Sequence, residues 1–215
     1  MDGLCGWSWR DLRRRQRTAL TGIFSLILGY LLGSLPSGWL AGRWLKNIDI
    51  RELGSGSTGA TNVLRQVGKG PALVVFLIDV GKGAAAVLIA RALGLGDWIQ
   101  VLAGLTALAG HIWPVWLGFK GGKAVATGLG LFLGLAWPVG LARFGVFLAV
   151  FSLSRYVSLA SVLAAISLPL LMAAGTDSNA NLVVALVAML LVLWRHRSNI
   201  KRLINGSEPK LSQKP

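Results

Sequence analysis

The chain has 215 residues, of which 54% are hydrophobic and 14% charged, and 22 Lys and Arg stand against 8 Asp and Glu for a formal net charge of +14. A soluble domain carries about 25% charged residues, and apolar runs long enough to cross a hydrocarbon core about 30 Å thick recur here, so a soluble globular fold is excluded. The basic residues lie between apolar runs and not on one soluble patch, which argues against nucleic acid as a partner.

In chain order, Arg13, Arg14, Arg15 and Arg17 precede the first apolar run as a signal n-region would. That run contains Pro36 and Arg43 and shows no small-residue cleavage site, so it is expected to be retained as a first span over about 19–43. Further spans are expected over about 70–93, 97–116, 123–136, 138–153, 157–174 and 179–195. Trp137-Pro138 divides the apolar stretch from Ala124 to Leu153, because proline cannot continue a helix ladder; one bent helix there would leave six spans. The fold class is therefore all-α, a polytopic membrane bundle of about seven helices. The 28 glycines suit it, since small residues let membrane helices approach closely. Residues 1–17 read as a basic extension, 18–205 as the membrane domain and 206–215 as a tail. Cys5 is the only cysteine, which excludes a disulfide framework and a thiolate metal site.

The loop charges predict an orientation. With the N-terminus outside, the inside segments 44–69, 117–122, 154–156 and 196–215, with the helix ends beside them, carry fourteen Lys and Arg, from Arg43 to Lys214. The outside loops carry Asp97 and Asp177 and almost nothing positive, a positive-inside pattern. The N-terminal arginines contradict it.

Three polar stretches, all on the inside face, carry chemistry. In Gly54-Ser55-Gly56-Ser57-Thr58-Gly59-Ala60-Thr61-Asn62, closely spaced glycines let backbone N–H groups converge on an anion. Ser55, Ser57, Thr58 and Asn62 add donors and Arg65 adds charge. The P-loop pattern fails because Ala60 stands where lysine is required, so nucleotide binding is rejected. In Gly118-Phe119-Lys120-Gly121-Gly122-Lys123, Gly121 and Gly122 at the start of a span make a second anion cradle, with Lys123 as its phosphate charge and Lys120 as an interface anchor. His111, just before it, reads as a structural hydrogen-bonder. His196, Asn199 and Arg202 repeat every third residue, so they share one helix face pointing to the same cavity. Arg155 and Ser158 open another span. Asp79 and Lys82, three apart in a span, read as a structural ion pair, although intramembrane charges also invite a functional reading.

The stretches GSLPSG, RELGSGSTGATNVLR, DVGKG, GHIWPVWLGFKGGKAVAT, SRYVSLAS and RHRSNIKRLINGSE, in this order from about Tyr30 to Glu208, resemble the bacterial acyl-phosphate:glycerol-3-phosphate acyltransferase family, PlsY. The resemblance implies a seven-helix bundle in the inner membrane with its site at the cytoplasmic face. It implies transfer of a fatty acyl group from acyl phosphate to the sn-1 hydroxyl of glycerol 3-phosphate, giving lysophosphatidic acid and phosphate. It places the functional positions on Ser55, Arg65, Lys123, Ser158, His196 and Asn199, with Gly54, Gly56, Gly59, Gly121 and Gly122 supporting phosphate. It links the chain functionally to the enzyme that forms acyl phosphate. No cofactor or metal is expected, because the mixed anhydride is already activated. Either His196 or a phosphate oxygen of the donor serves as base, with the phosphate oxygen preferred. The rival readings are a transporter or channel for an organic anion, and a phosphotransferase of lipid metabolism.

Overall fold

The structure, a computed structural model, describes residues 9–211. The N-terminal tip with Cys5, and Lys214 in the tail, lie outside the described residues. The described chain is helical throughout, with no strand. α1 (Trp9–Ser34) begins inside the segment expected to be an extension. Pro36, which cannot donate to a helix ladder, separates it from α2 (Ser37–Lys46), and Asn47 closes α2 in the left-handed conformation. A loop leads to the short α3 (Ala60–Gln66), then to α4 (Lys69–Ala92) and α5 (Asp97–Ile112). After a 3-10 turn at Val115–Leu117 come α6 (Val125–Leu135) and α7 (Trp137–Ser154). The expected break falls between them, with Pro138 in the first turn of α7, where a missing N–H costs no ladder bond. α8 (Val157–Ile166) and α9 (Leu168–Gly175) divide what the sequence predicted as one span, at Pro169. α10 (Asn179–Arg195), capped by Ser178, bends 61° at His196 into α11 (Arg197–Ile204).

Among the described residues, five helical segments are long and apolar enough to cross a membrane: Leu12–Lys46, Lys69–Ala92, Asp97–Leu117, Trp137–Ser154 and Val157–Gly175. The bent pair α10–α11 makes a sixth. α6 differs from the seven-span expectation. Its 11 residues rise about 16 Å, roughly half the hydrocarbon thickness. It packs along only the second half of α4, with Gly83 against Thr127 and Gly130 against Val80. A Cβ at either glycine would strike backbone, so the glycines set this close approach. Because α6 is short, its entrance, Lys123, lies inside the bundle, where it lines the same cavity as Asp79.

α1 and α5 run parallel, Gly22 meeting Ile99 and Gly33 meeting Ala107. The starts of α1, α5 and α7 therefore share one end of the bundle, and the ends of α5, α7 and α10 share the other. A core of Val87, Leu108, Leu131, Phe132, Leu168, Met172 and Val184 lies between the two ends.

Candidate active site

At the end where α5, α7 and α10 finish, a cavity of about 1090 Å³ opens. It is lined by Gly54, Ser55, Gly56, Ser57, Gly59, Asn62, Arg65, Lys123, Ser158, His196, Asn199 and Arg202, which are twelve of the fifteen residues expected from the sequence. Gly121, Gly122 and Arg155 do not line it.

The first wall is the glycine loop. Gly54 and Gly56 have φ of +58° and +65°, a region that side chains rarely adopt, and a Cβ on Gly54 would lie 2.5 Å from Asn62 Oδ1. Asn62 is the node of this loop. Its Nδ2 donates to the carbonyls of Ile50, Leu53 and Ser57 at 2.9, 3.0 and 3.0 Å, and its Oδ1 accepts from Ser55 N–H at 3.3 Å. Every donor of Asn62 is thus committed to backbone, so it shapes the loop and has no hydrogen left for a ligand. The Asp49–Arg51 pair, 2.6 Å apart, anchors the loop, and Arg51 also donates to Leu117 carbonyl across to the 3-10 turn. Ser55 is exposed at the cavity mouth. Arg65 reaches Pro209 carbonyl at 3.4 Å, while its buried Nε has no hydrogen-bond partner.

The second wall differs from the sequence expectation of an amide cradle. Gly121 N–H donates to Ile112 carbonyl and Gly122 N–H to His111 carbonyl, at 3.1 and 3.0 Å, so neither amide is free for an anion. Any Cβ at Gly121 would collide with His111 carbonyl, and any Cβ at Gly122 with the His111 ring. These two glycines serve close packing. The carbonyls of the same segment accept from Arg195, Gly122 from Nε at 3.1 Å and Gly121 from Nη2 at 3.4 Å. What the segment gives the cavity is the side chain of Lys123, and Lys120 is exposed outside it.

Beneath lies a buried polar cluster. Asp79 Oδ1 accepts from Ser37 Oγ at 2.7 Å, lies 2.8 Å from Lys82 Nζ and stands 3.7 Å from His111 Nδ1. Lys82 also donates to Leu35 carbonyl, which the Pro36 break leaves without a ladder partner. Asp79 and Lys82 form the ion pair the sequence assigned to them, while His111, expected as a hydrogen-bonder, stands beyond hydrogen-bond distance of Asp79; Asp79 and His111 also reach the cavity floor.

The third wall is the α10–α11 bend. His196 Nδ1 lies 2.8 Å from Val192 carbonyl. A carbonyl only accepts, so Nδ1 carries the proton and Nε2 of the neutral ring is an acceptor. Asn199 joins the walls. It accepts from Lys123 Nζ at 2.7 Å and donates to Glu208 Oε1 at 2.7 Å, and Arg202 Nε holds the other Glu208 oxygen at 2.7 Å. Glu208 was missed by sequence reasoning. It lies in what was expected to be a tail, but Gly206, at φ +67°, turns the chain back so that Gly206, Ser207, Glu208 and Pro209 line the cavity. The tail is pinned by Leu211 N–H donating to Arg155 carbonyl at 3.2 Å, so Arg155 contributes backbone while its side chain is exposed.

Burial holds the Lys123 ammonium below its ordinary range, at about 8; nearby Glu208 opposes this, and Arg202, Arg195 and Arg65 reinforce it. Burial alone would raise the Glu208 carboxyl, but bonds from Asn199 and Arg202 outweigh it and leave Glu208 below the usual range. The cavity therefore presents Arg65, Lys123, Arg195, Arg197 and Arg202 against two carboxylates, Glu208 and the Lys82-paired Asp79, an excess of positive charge suited to phosphates. Among the described residues, no group of three His, Cys, Asp or Glu side chains has the arrangement to hold a metal.

A helical bundle with membrane-crossing segments and a cationic polar cavity recessed at one end defines a polytopic integral membrane protein. Residues 23–206 match the family model of glycerol-3-phosphate acyltransferase. The chain is 74% identical over 195 residues to a glycerol-3-phosphate acyltransferase of Parasynechococcus marenigrum (strain WH8102), covering 91% of this chain and 92% of that one. It is 70% identical to one of Prochlorococcus marinus (strain MIT 9313), covering 89% and 95%. The crystal structure of PlsY, an integral membrane glycerol 3-phosphate acyltransferase, in its glycerol 3-phosphate form superposes with a TM-score of 0.84 at 42% identity, over 88% of this chain and 95% of that one. The lysophosphatidic acid form gives 0.80 at 39% identity, with the same shares covered. The chain belongs to the glycerol-3-phosphate acyltransferase family, as the resemblance in its sequence implied.

Proposed function

We propose that the protein transfers a fatty acyl group from acyl phosphate to the sn-1 hydroxyl of glycerol 3-phosphate, at the cytoplasmic face of a bacterial inner membrane. One observation carries this reading. The cationic cavity continues through Phe76, Val125, Ala126 and Phe147 into a largely apolar groove that also includes Leu129, Phe144, Ala164 and the buried Arg143. A polar site for two phosphates joined to a groove for an alkyl chain is what acyl transfer to a phosphorylated alcohol requires, whereas an anion transporter needs no alkyl groove.

Arg65, Lys123 and Arg202 hold the phosphates. The sn-1 oxygen attacks the acyl carbonyl carbon, the bond from that carbon to the phosphate oxygen breaks, and inorganic phosphate leaves carrying the hydroxyl proton. His196 Nε2 accepts a hydrogen bond from the attacking hydroxyl and orients it; the departing phosphate oxygen is the final base. Ser55, at the mouth, and Lys123 face the developing oxyanion. The donor is supplied by an enzyme that makes acyl phosphate. The cytoplasmic placement rests on the excess of Lys and Arg in the segments around the cavity.

The test is turnover of purified protein with acyl phosphate, with and without EDTA, beside acyl thioesters. Activity with acyl phosphate undiminished by EDTA is expected. Turnover only with thioesters, or complete loss on chelation, would overturn the proposal.

A further inference from the structure

Arg13, Arg14 and Arg17 take no part in the cavity. They stand near the start of α1, at the opposite end of the bundle. With Thr18, Thr21 and the α4–α5 turn Leu93–Gly94–Leu95 they line a second concavity of about 390 Å³. Among the described residues, no carboxylate lines it. Thr18 and Thr21 donate to the carbonyls of Arg14 and Arg17, at 3.0 and 2.9 Å, which leaves the guanidinium groups as the donors facing the concavity. α4 rises about 36 Å between Lys69 and this turn, so the concavity lies about one hydrocarbon thickness from the catalytic end. Trp98 and Trp137, in the first turns of α5 and α7, are 55% and 65% exposed at this same end. Exposed Trp side chains at helix ends mark the headgroup layer.

The face of α1 continues the feature downward. Arg13, Arg17, Leu20, Phe24, Ile27 and Leu31 alternate at spacings of four and three, so they form one stripe. Leu20, Phe24, Ile27 and Leu31 are 60%, 56%, 56% and 42% exposed. Guanidinium groups stand above an uncovered apolar stripe long enough for acyl chains. A free phosphate would use only the upper half of this surface, whereas a glycerolipid matches both halves.

We propose that this end of α1 binds an anionic phospholipid of the leaflet opposite the catalytic cavity, its phosphate among Arg13, Arg14 and Arg17 and its acyl chains along Leu20, Phe24, Ile27 and Leu31. The forked guanidinium donors match phosphate oxygens, and the anion relieves repulsion among three cations within about one helical turn. The bound lipid also accounts for arginines at the end where the other segments are nearly free of basic residues.

The full chain, delipidated in neutral detergent, is offered phosphatidylglycerol or phosphatidylcholine of the same acyl composition, and retained lipid is counted by native mass spectrometry. Wild-type protein should retain phosphatidylglycerol at least about ten times better. The triple variant R13Q/R14Q/R17Q should lose that preference while keeping its acyltransferase turnover. If the triple variant does not fold, the single variants Arg14→Gln and Arg17→Gln carry the test, each lowering retention. An unchanged preference in the variants, equal retention of phosphatidylcholine, or stripping of phosphatidylglycerol by millimolar inorganic phosphate would each overturn the proposal, the last assigning the concavity to free phosphate.

Discussion

Lys123 Nζ donates to Asn199 Oδ1 at 2.7 Å, a contact that joins the entrance of α6 to α11 across 76 residues of sequence. Asn199 passes the contact on to Glu208, and Glu208 to Arg202. The ammonium is therefore aimed at the cavity centre by partners on two other segments. Lys120, three residues earlier, points outside it.

Lys123→Ala is expected to lower kcat/KM by at least about 100-fold, roughly 2.7 kcal/mol of transition-state stabilisation. Lys120→Ala should be clearly milder, because isolated surface charges are worth under about 1 kcal/mol. The measurement is steady-state kinetics at equal amounts of folded protein in detergent. Equal losses in the two variants would return Lys123 to the role of an interface anchor.

The depressed Lys123 value makes a pH dependence. The cationic form binds phosphate, and the free enzyme loses that proton near 8. kcat/KM for glycerol 3-phosphate, which reports the free enzyme, should fall as pH rises through about 8. Lys123→Arg should move that limb out of the measurable range. Glu208→Gln removes a charge that favours the ammonium, so its limb should lie at lower pH. For stability the sign is opposite. The folded value lies below the unfolded 10.5, so the buried cation opposes folding at neutral pH, and that cost is relieved as pH rises from about 8 to 10.5. A flat profile between pH 7 and 9 would contradict this assignment.

Arg195 lines the cavity, but two of its nitrogens are spent on the carbonyls of Gly121 and Gly122. It acts as a positioning residue for Lys123. Arg195→Lys keeps the charge and loses the fork, so KM for glycerol 3-phosphate should rise about tenfold or more, with a smaller change in kcat. Arg195→Gln should be similarly impaired. A near-normal lysine variant beside an inactive glutamine variant would show that the charge touches substrate directly.

Orientation is checked with single cysteines at Ser57 and Ser207, in a background lacking Cys5. Both positions line the cavity, and both should resist an impermeant thiol reagent in intact cells and react after lysis. Labelling of either without lysis would invert the proposed topology.

The sequence by itself determined the membrane class and the break at Pro138, because transfer of apolar segments into lipid and the missing proline N–H are local properties, whereas the break at Pro36 inside the expected first span came from the structure. It also marked the polar stretches, since clustered glycines and cations stand out against apolar spans. Three matters needed the tertiary structure. The roles of Gly121 and Gly122 depend on where their amides point, and His111 and Ile112 take them. The commitment of Asn62 to three carbonyls depends on a loop folded around it. Glu208 enters the site only because Gly206 reverses the chain and Leu211 fastens it to Arg155. Hydrogen bonds are directional and short, so residue type and spacing nominate a donor, while only the packed backbone decides whether a neighbour has already satisfied it.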